Sequence, residues 1–151
     1  MDRPVTEVYL CTIWHTGTKY FKAGLGKNHK VAYSHFNKSV LKKIPNYEIV
    51  YTTYRDPLRV GASWGNRHKD FTKPNLISQW TLQWECYHEA LKLNPRVLDF
   101  TKGREQFGIV FGESPINSHK DELGLHKAID DGNWDYYYRK VPKELIQLAR
   151  G

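Results

Sequence analysis

The sequence predicts an α/β fold in three layers, with a mostly parallel central sheet flanked by helices. Three observations predict it. Short β-branched and aromatic runs alternate with helical segments, the pattern of repeated strand–helix–strand units. Asn, Pro and Gly punctuate the chain between those runs, as at Pro45-Asn46 and Asn94-Pro95. The best strands also run directly into polar segments with anion-binding chemistry, as open parallel sheets do at their carboxyl edge.

The first run, Val5 to Ile13, has no breaker and reads as a buried strand. A turn at Thr16-Gly17-Thr18 follows, then about two helical turns over Lys19 to Leu25. Lys30 to Phe36 is a second short strand or extended segment. Asn37 to Ile44 is a short helix opened by an Asn cap and stopped by Pro45. Tyr47 to Tyr54 is the clearest strand in the chain. It meets Arg55-Asp56-Pro57, where the proline suits a helix's first turn, and Leu58 to His68 continue that helix.

Lys69 to Asn75 form a polar connection. Leu76 to Leu93 then space Ile77, Trp80, Trp84, Tyr87 and Leu91 at steps of three and four, giving an amphipathic helix with an aromatic face. Those rings are assigned to the core. Arg96 to Phe100 is a further strand. Gly103 to Gly132 reads as loops with a short helix near Asp121 to Asp130, and Pro142 opens a closing helix.

Composition bounds the function. The chain has 151 residues, 40% of them hydrophobic, which suits a single packed domain over 1–151. Its net charge of +7 favours anionic partners without choosing among them. Cys11 and Cys86 have neither disulfide nor metal-ligand spacing and read as buried thiols of a reducing compartment. No signal peptide opens the sequence, and no apolar run approaches the ~20 residues of a membrane span. The expectation is a soluble, cytoplasmic protein with no membrane partner and no metal.

Two loops carry the chemistry. After the first strand, His15-Thr16-Gly17-Thr18-Lys19 supplies backbone N–H groups at a helix start, two hydroxyls and a lysine charge, all suited to an anion. No Gly-x-x-x-x-Gly-Lys-Ser/Thr loop occurs, so this is not a Walker A motif. After the third strand, Arg55 offers a planar fork for phosphate, and Ser63, eight residues on, adds a hydroxyl donor.

Taken together, these stretches resemble the sulfotransferases that use 3′-phosphoadenosine 5′-phosphosulfate (PAPS). "WHTGTKY" (Trp14 to Tyr20) is similar to that family's 5′-phosphosulfate loop, Pro-Lys-Ser/Thr-Gly-Thr-Thr-Trp. "YTTYRDPLRVGASW" is similar to its 3′-phosphate motif, a strand running into Arg-Asn/Asp-Pro with a serine eight residues after the arginine. "YSHFN" stands where many members carry Lys-Thr-His-Leu-Pro. "HKAIDDGNWDYYY" loosely matches the C-terminal Arg-Lys-Gly…Gly-Asp-Trp segment.

The resemblance covers the first two-thirds of the chain in order. It implies a P-loop NTPase-like sulfotransferase fold, PAPS as cosubstrate with 3′-phosphoadenosine 5′-phosphate (PAP) as product, and a small-molecule or glycan acceptor. His15, Thr16, Gly17, Thr18, Lys19 and Tyr20 would then hold the 5′-phosphosulfate. Arg55, Ser63 and Lys127 would hold the 3′-phosphate, and His35 would be the base, with Lys19 and His15 assisting the leaving group.

The sequence departs from the family at His15, which replaces the usual lysine, at Lys19, which replaces the second threonine, and at Tyr33, which replaces the lysine before the base. Two rivals remain. One is a catalytically degenerate binder of nucleic acid or a sulfated glycan, although nucleic acid is the less favoured partner. The other is a nucleotide phosphotransferase, which lacks an evident Asp pair for magnesium.

Overall fold

The computed structural model describes residues 6–69, 74–100 and 120–150. Four strands, β1 (Glu7–Thr12), β2 (Lys30–His35), β3 (Val50–Tyr54) and β4 (Arg96–Asp99), form an all-parallel sheet in the order β2-β1-β3-β4. The sheet register pairs Thr12 with His35 and Tyr54 with Asp99, so the carboxyl ends of the strands share one edge. Parallel strands need crossovers, and helices supply them. These are α1 (Thr18–Leu25), α2 (Lys38–Lys43), α3 (Pro57–His68) and α4 (Pro74–Leu91). The C-terminal part adds α5 (Leu125–Asp131), α6 (Trp134–Lys140) and α7 (Lys143–Arg150).

Alternation along β1 splits the core across the two sheet faces. Val8 and Leu10 pack with Phe21 and Leu25 of α1, with Tyr51 and with Leu98. Tyr9, Cys11 and Ile13 face the other way, toward Val40, Val60, Trp64, Trp80, Tyr137 and Leu145. The result is three layers, with α1 on one face and residues from α2 to α7 joined in the core on the other. Val8, Leu10, Cys11 and Ile13 are wholly buried, each apolar side chain of this size contributing about 1.5–3 kcal/mol. Trp80, Trp84 and Tyr87 are core residues as the periodicity predicts, and both cysteines are buried free thiols.

Local chemistry sets the boundaries. Asn37 Oδ1 accepts from Val40 N at 3.1 Å and starts α2, while Ile44–Asn46 wind into a 3-10 turn around Pro45. Asp56 Oδ1 accepts from Leu58 N at 2.9 Å and, with Pro57 in the first turn, starts α3. The strand predicted over Tyr47 to Tyr54 is shorter, beginning at Val50, because the chain is still bending at Glu48 and Ile49 after the 3-10 turn.

The C-terminal helices dock on α3. Tyr137 Oη donates to Leu58 O at 2.7 Å in the space left by Gly61, where a Cβ would stand 2.5 Å from Tyr137 Oη. The patterning does not predict α6, which follows Gly132 and is capped by Asn133. Val5 and the polar linker residues 70–73 lie outside the described residues, as do residues 101–119, most of the segment expected to be loops. Among the described residues, no helix is long and apolar enough to cross a membrane.

Candidate functional site: an anion crevice at the carboxyl edge of the sheet

β1 pairs with β2 on one side and β3 on the other, and the chain visits β2 before crossing to β3. The connections leaving β1 and β3 therefore diverge, opening the crevice where parallel sheets take their ligands. The first of these, Ile13 to Gly17, is held at several points. Trp14 N donates to Gln83 Oε1 at 2.9 Å. The buried Thr16 hydroxyl donates to Ile13 O at 2.6 Å and also meets Thr53 Oγ1. Thr16 thus braces the loop from below, and its side chain is turned away from the crevice.

His15 takes a left-handed φ of 63°, rare for a residue with a Cβ. Its carbonyl accepts from Arg55 Nη1 at 3.3 Å. Its ring lies 5.8 Å from the centroids of both Trp64 and His68, packed toward α3. Gly17, at φ 84°, caps α1; a Cβ there would lie 2.5 Å from Phe100 Cδ2. Only glycine suits that backbone and that gap.

The first hydrogen bond of α1 is Phe21 N to Gly17 O at 2.9 Å. The N–H groups of Thr18, Lys19 and Tyr20 therefore have no acceptor within the helix. No acidic residue stands in that turn, and no side chain caps it. The Thr18 hydroxyl oxygen is buried with no partner among the described residues. Lys19 is exposed beside it. The Tyr20 ring is 7% exposed, set edge-on to Phe100 at 5.7 Å, so its contribution to the crevice is its backbone.

Across the crevice, the Arg55 guanidinium lies 4.7 Å over the Phe100 ring. Arg55 Nη1 donates to Ser63 Oγ at 2.8 Å as well as to His15 O. Among the described residues no carboxylate pairs with it. Burial first, then the Arg59 charge, lower its pKa to about 10, so it stays cationic at neutral pH in a setting that disfavours charge.

His126 Nε2 stands 3.5 Å from Ser63 Oγ, and His126 Nδ1 stands 3.3 Å from Arg59 Nη1. Arg59 also donates to His126 O at 3.3 Å and pairs with Asp130. Burial and the Arg55 charge lower the pKa of His126 below the ordinary value of 6.5. Asp121 accepts from Asn66 Nδ2, His126 N and Lys127 N, at 2.9, 3.0 and 3.0 Å, tying α5 to α3. Burial alone would raise its pKa; those three donors outweigh burial and lower it. Lys127 turns outward and pairs with Asp131. The structure brings His126, and not Lys127, to Arg55 and Ser63.

His35 closes the other end of the edge. Its Nδ1 lies 3.0 Å from Thr12 Oγ1, its Nε2 3.3 Å from Tyr33 Oη, and its ring is edge-on to Trp14 at 6.0 Å. Burial lowers its pKa below the ordinary 6.5, outweighing a hydrogen bond with the Thr12 backbone that raises it, so the neutral imidazole predominates at pH 7. β2 and β3 are separated by β1, which places His35 roughly 10 Å laterally from the Arg55 strand.

Sequence reading gives Phe100, His68 and His126 no part in the site. Phe100 separates Arg55 from Gly17, which no local motif encodes. His126 directly precedes Lys127, and only the docking of α5 on α3 decides which of the two faces inward. Two open depressions lie off this crevice, one lined by Glu7, Lys43, Asn46, Tyr47 and Glu48, the other by residues from Asn66 to Lys69 with Lys120 and Glu122. Neither contains Arg55, Ser63 or Lys19, so the candidate site rests on its donors and not on concavity. No family model matches the chain, and no curated protein or solved structure matches it.

Proposed function

We propose that the chain is a small PAPS-dependent sulfotransferase of the P-loop-like type, which moves a sulfuryl group to a hydroxyl or amine acceptor. One observation carries this reading: a half-buried arginine, with no carboxylate partner among the described residues, meets a serine hydroxyl opposite a helix N-terminus that no side chain caps among those residues. Two anionic groups joined by a nucleoside suit that pair of half-sites. The residues present fit them. Thr18 Oγ1 is a buried hydroxyl with no partner among the described residues at one, where Gly17, packed under Phe100, turns the chain into α1. At the other, Ser63 Oγ accepts from Arg55, which leaves its own hydrogen for a ligand oxygen.

In this reading the N–H groups of Thr18, Lys19 and Tyr20, the Thr18 hydroxyl and the Lys19 ammonium hold the 5′-phosphosulfate. Arg55 and Ser63 hold the 3′-phosphate. Bound PAPS supplies the activated sulfuryl group. The donors at the start of α1 are fixed before charge develops, the arrangement that gives electrostatic catalysis its size. His35, with its hydrogen on Nδ1 and directed to Thr12, keeps a lone pair on Nε2. That atom takes the acceptor's proton once Tyr33 gives up its contact, and such bases contribute about 10²–10⁴-fold. His15 packs on Trp64, so the charge of the usual loop lysine falls to Lys19.

The test is calorimetric titration of the chain with PAP, with ATP and magnesium, and with duplex DNA in parallel. PAP binding supports the proposal. ATP with magnesium binding in preference to PAP would favour a phosphotransferase. DNA binding with a steep salt slope and no nucleotide binding would mark a degenerate binder.

A further inference from the structure

Arginine can only donate hydrogen bonds, so His126 Nδ1, 3.3 Å from Arg59 Nη1, must accept. A neutral imidazole carries a single ring hydrogen, which then sits on Nε2 and faces Ser63 Oγ at 3.5 Å. We propose that Arg59 and Asp130 are positioning residues that fix His126 in its Nε2–H form, making it a third donor, beside Arg55 and Ser63, for a phosphate monoester of the bound nucleotide.

The pairing does this because each member is used. Arg59 is anchored by Asp130 and by the His126 carbonyl, so it keeps its place at Nδ1. Four charged groups bear on the ring: Arg55 from the end of β3, Arg59 from α3, Asp121 from the segment before α5, and Asp130 from α5 itself. Asp121 is engaged by three donors and Asp130 by Arg59, while Lys127 pairs with Asp131 on the outside of α5. The two arginines resist a second proton on the ring. His126 therefore meets an anion as a neutral donor, without taking up a proton.

The tautomer is independent of the nucleotide reading; the ligand role rests on it. Long-range ¹H–¹⁵N spectra of the histidine-labelled chain at pH 7.5 read the tautomer, with the His126 signal assigned by its loss in His126→Gln. The expected result is a bare Nδ1 and a protonated Nε2, shifting to a mixture of tautomers in Arg59→Leu. An Nδ1–H or cationic ring, or an unchanged tautomer in folded Arg59→Leu, overturns the positioning role.

Titration with PAP reads the ligand role. His126→Ala is expected to bind roughly 10- to 100-fold more weakly, the loss of one hydrogen bond to a charged group. His126→Gln, with an amide N–H of similar reach, is expected to recover most of that loss. Equal affinity of wild type and folded His126→Ala overturns the third-donor role. A wild type with the expected tautomer that binds no PAP overturns the nucleotide reading and the ligand role, while supporting the positioning pair.

Discussion

Replacing Arg55 with alanine tests the site where its energetics are most unusual. Arg55 Nη1 makes hydrogen bonds of 2.8 and 3.3 Å, to Ser63 and to the His15 carbonyl, and has no compensating carboxylate among the described residues. Removing it relieves a desolvated charge while deleting two modest bonds, so the ligand-free chain is expected to change stability by no more than about 1 kcal/mol. Binding is different, because truncating one partner of a desolvated charge pair costs about 2–5 kcal/mol.

At PAP a hundredfold above Kd, wild type is expected to gain about 2.7 kcal/mol, worth roughly 5–10 °C in Tm for a chain of this size. A loss of about 2 kcal/mol is a thirtyfold rise in Kd, which leaves Arg55→Ala about 0.8 kcal/mol, or 2–3 °C. Differential scanning fluorimetry reads both values. Adenosine 5′-phosphosulfate, which lacks the 3′-phosphate, is the control and is expected to shift the two proteins alike. A full PAP shift in Arg55→Ala, or a ligand-free loss above about 3 kcal/mol, would show that Arg55 serves the fold and not the ligand.

Gly17→Ala forces a Cβ toward Phe100 at a left-handed φ and is expected to cost about 2–4 kcal/mol by urea unfolding, with loss of PAP binding. Lys19→Glu replaces a cation in the first turn of α1 by an anion, so the ligand-free Tm is expected to rise, by about 1 kcal/mol of stability, while PAP binding disappears. His35→Asn is expected to lower the transfer rate by at least about 10²-fold and leave the PAP shift intact. Because burial lowers the pKa of His35 and His126 below 6.5, the unfolded chain binds more protons just below that value. Stability is therefore expected to fall as pH drops from 6.5 toward the folded pKa values and to level off beneath them; unfolding midpoints at stepped pH, flattened in His35→Asn, measure it.

The sheet and most helices were legible because each is written locally. Asn37, Asp56-Pro57 and Asn94-Pro95 mark ends, and the aromatic spacing marks α4. The opposed arrangement of the two loops followed from strand order, since parallel strands bring their carboxyl ends to one edge. What the sequence hid was set by packing between distant elements. α6, "WDYYYRK", is more than half aromatic and reads poorly as a helix, yet Tyr137 fills the space over Gly61 and reaches the Leu58 carbonyl. Thr16 resembled a ligand donor in one dimension, but Thr53 on the neighbouring strand draws its hydroxyl inward. Lys127 and His126 are adjacent in sequence, and only the Asp121 tether, fixed by Asn66 of α3, sets which faces Ser63.

Three unfavourable local features meet at this one crevice. Lys19 puts a positive charge near the positive end of a helix dipole; among the described residues the buried Thr18 hydroxyl has no partner, and Arg55 is a desolvated cation without a carboxylate. Each could be relieved by a single substitution, so each lowers stability without serving the core. An anion at the start of α1 would answer the first two, and a second anion beside Ser63 would answer the third. The two lie on diverging connections of neighbouring strands, so one ligand with two separated anionic groups would satisfy both ends at once. A ligand with a single anionic group would leave one end unrelieved, and the nucleotide with both 3′- and 5′-anionic groups is therefore expected to exceed the one lacking the 3′-phosphate in affinity only while Arg55 and Lys19 are both present.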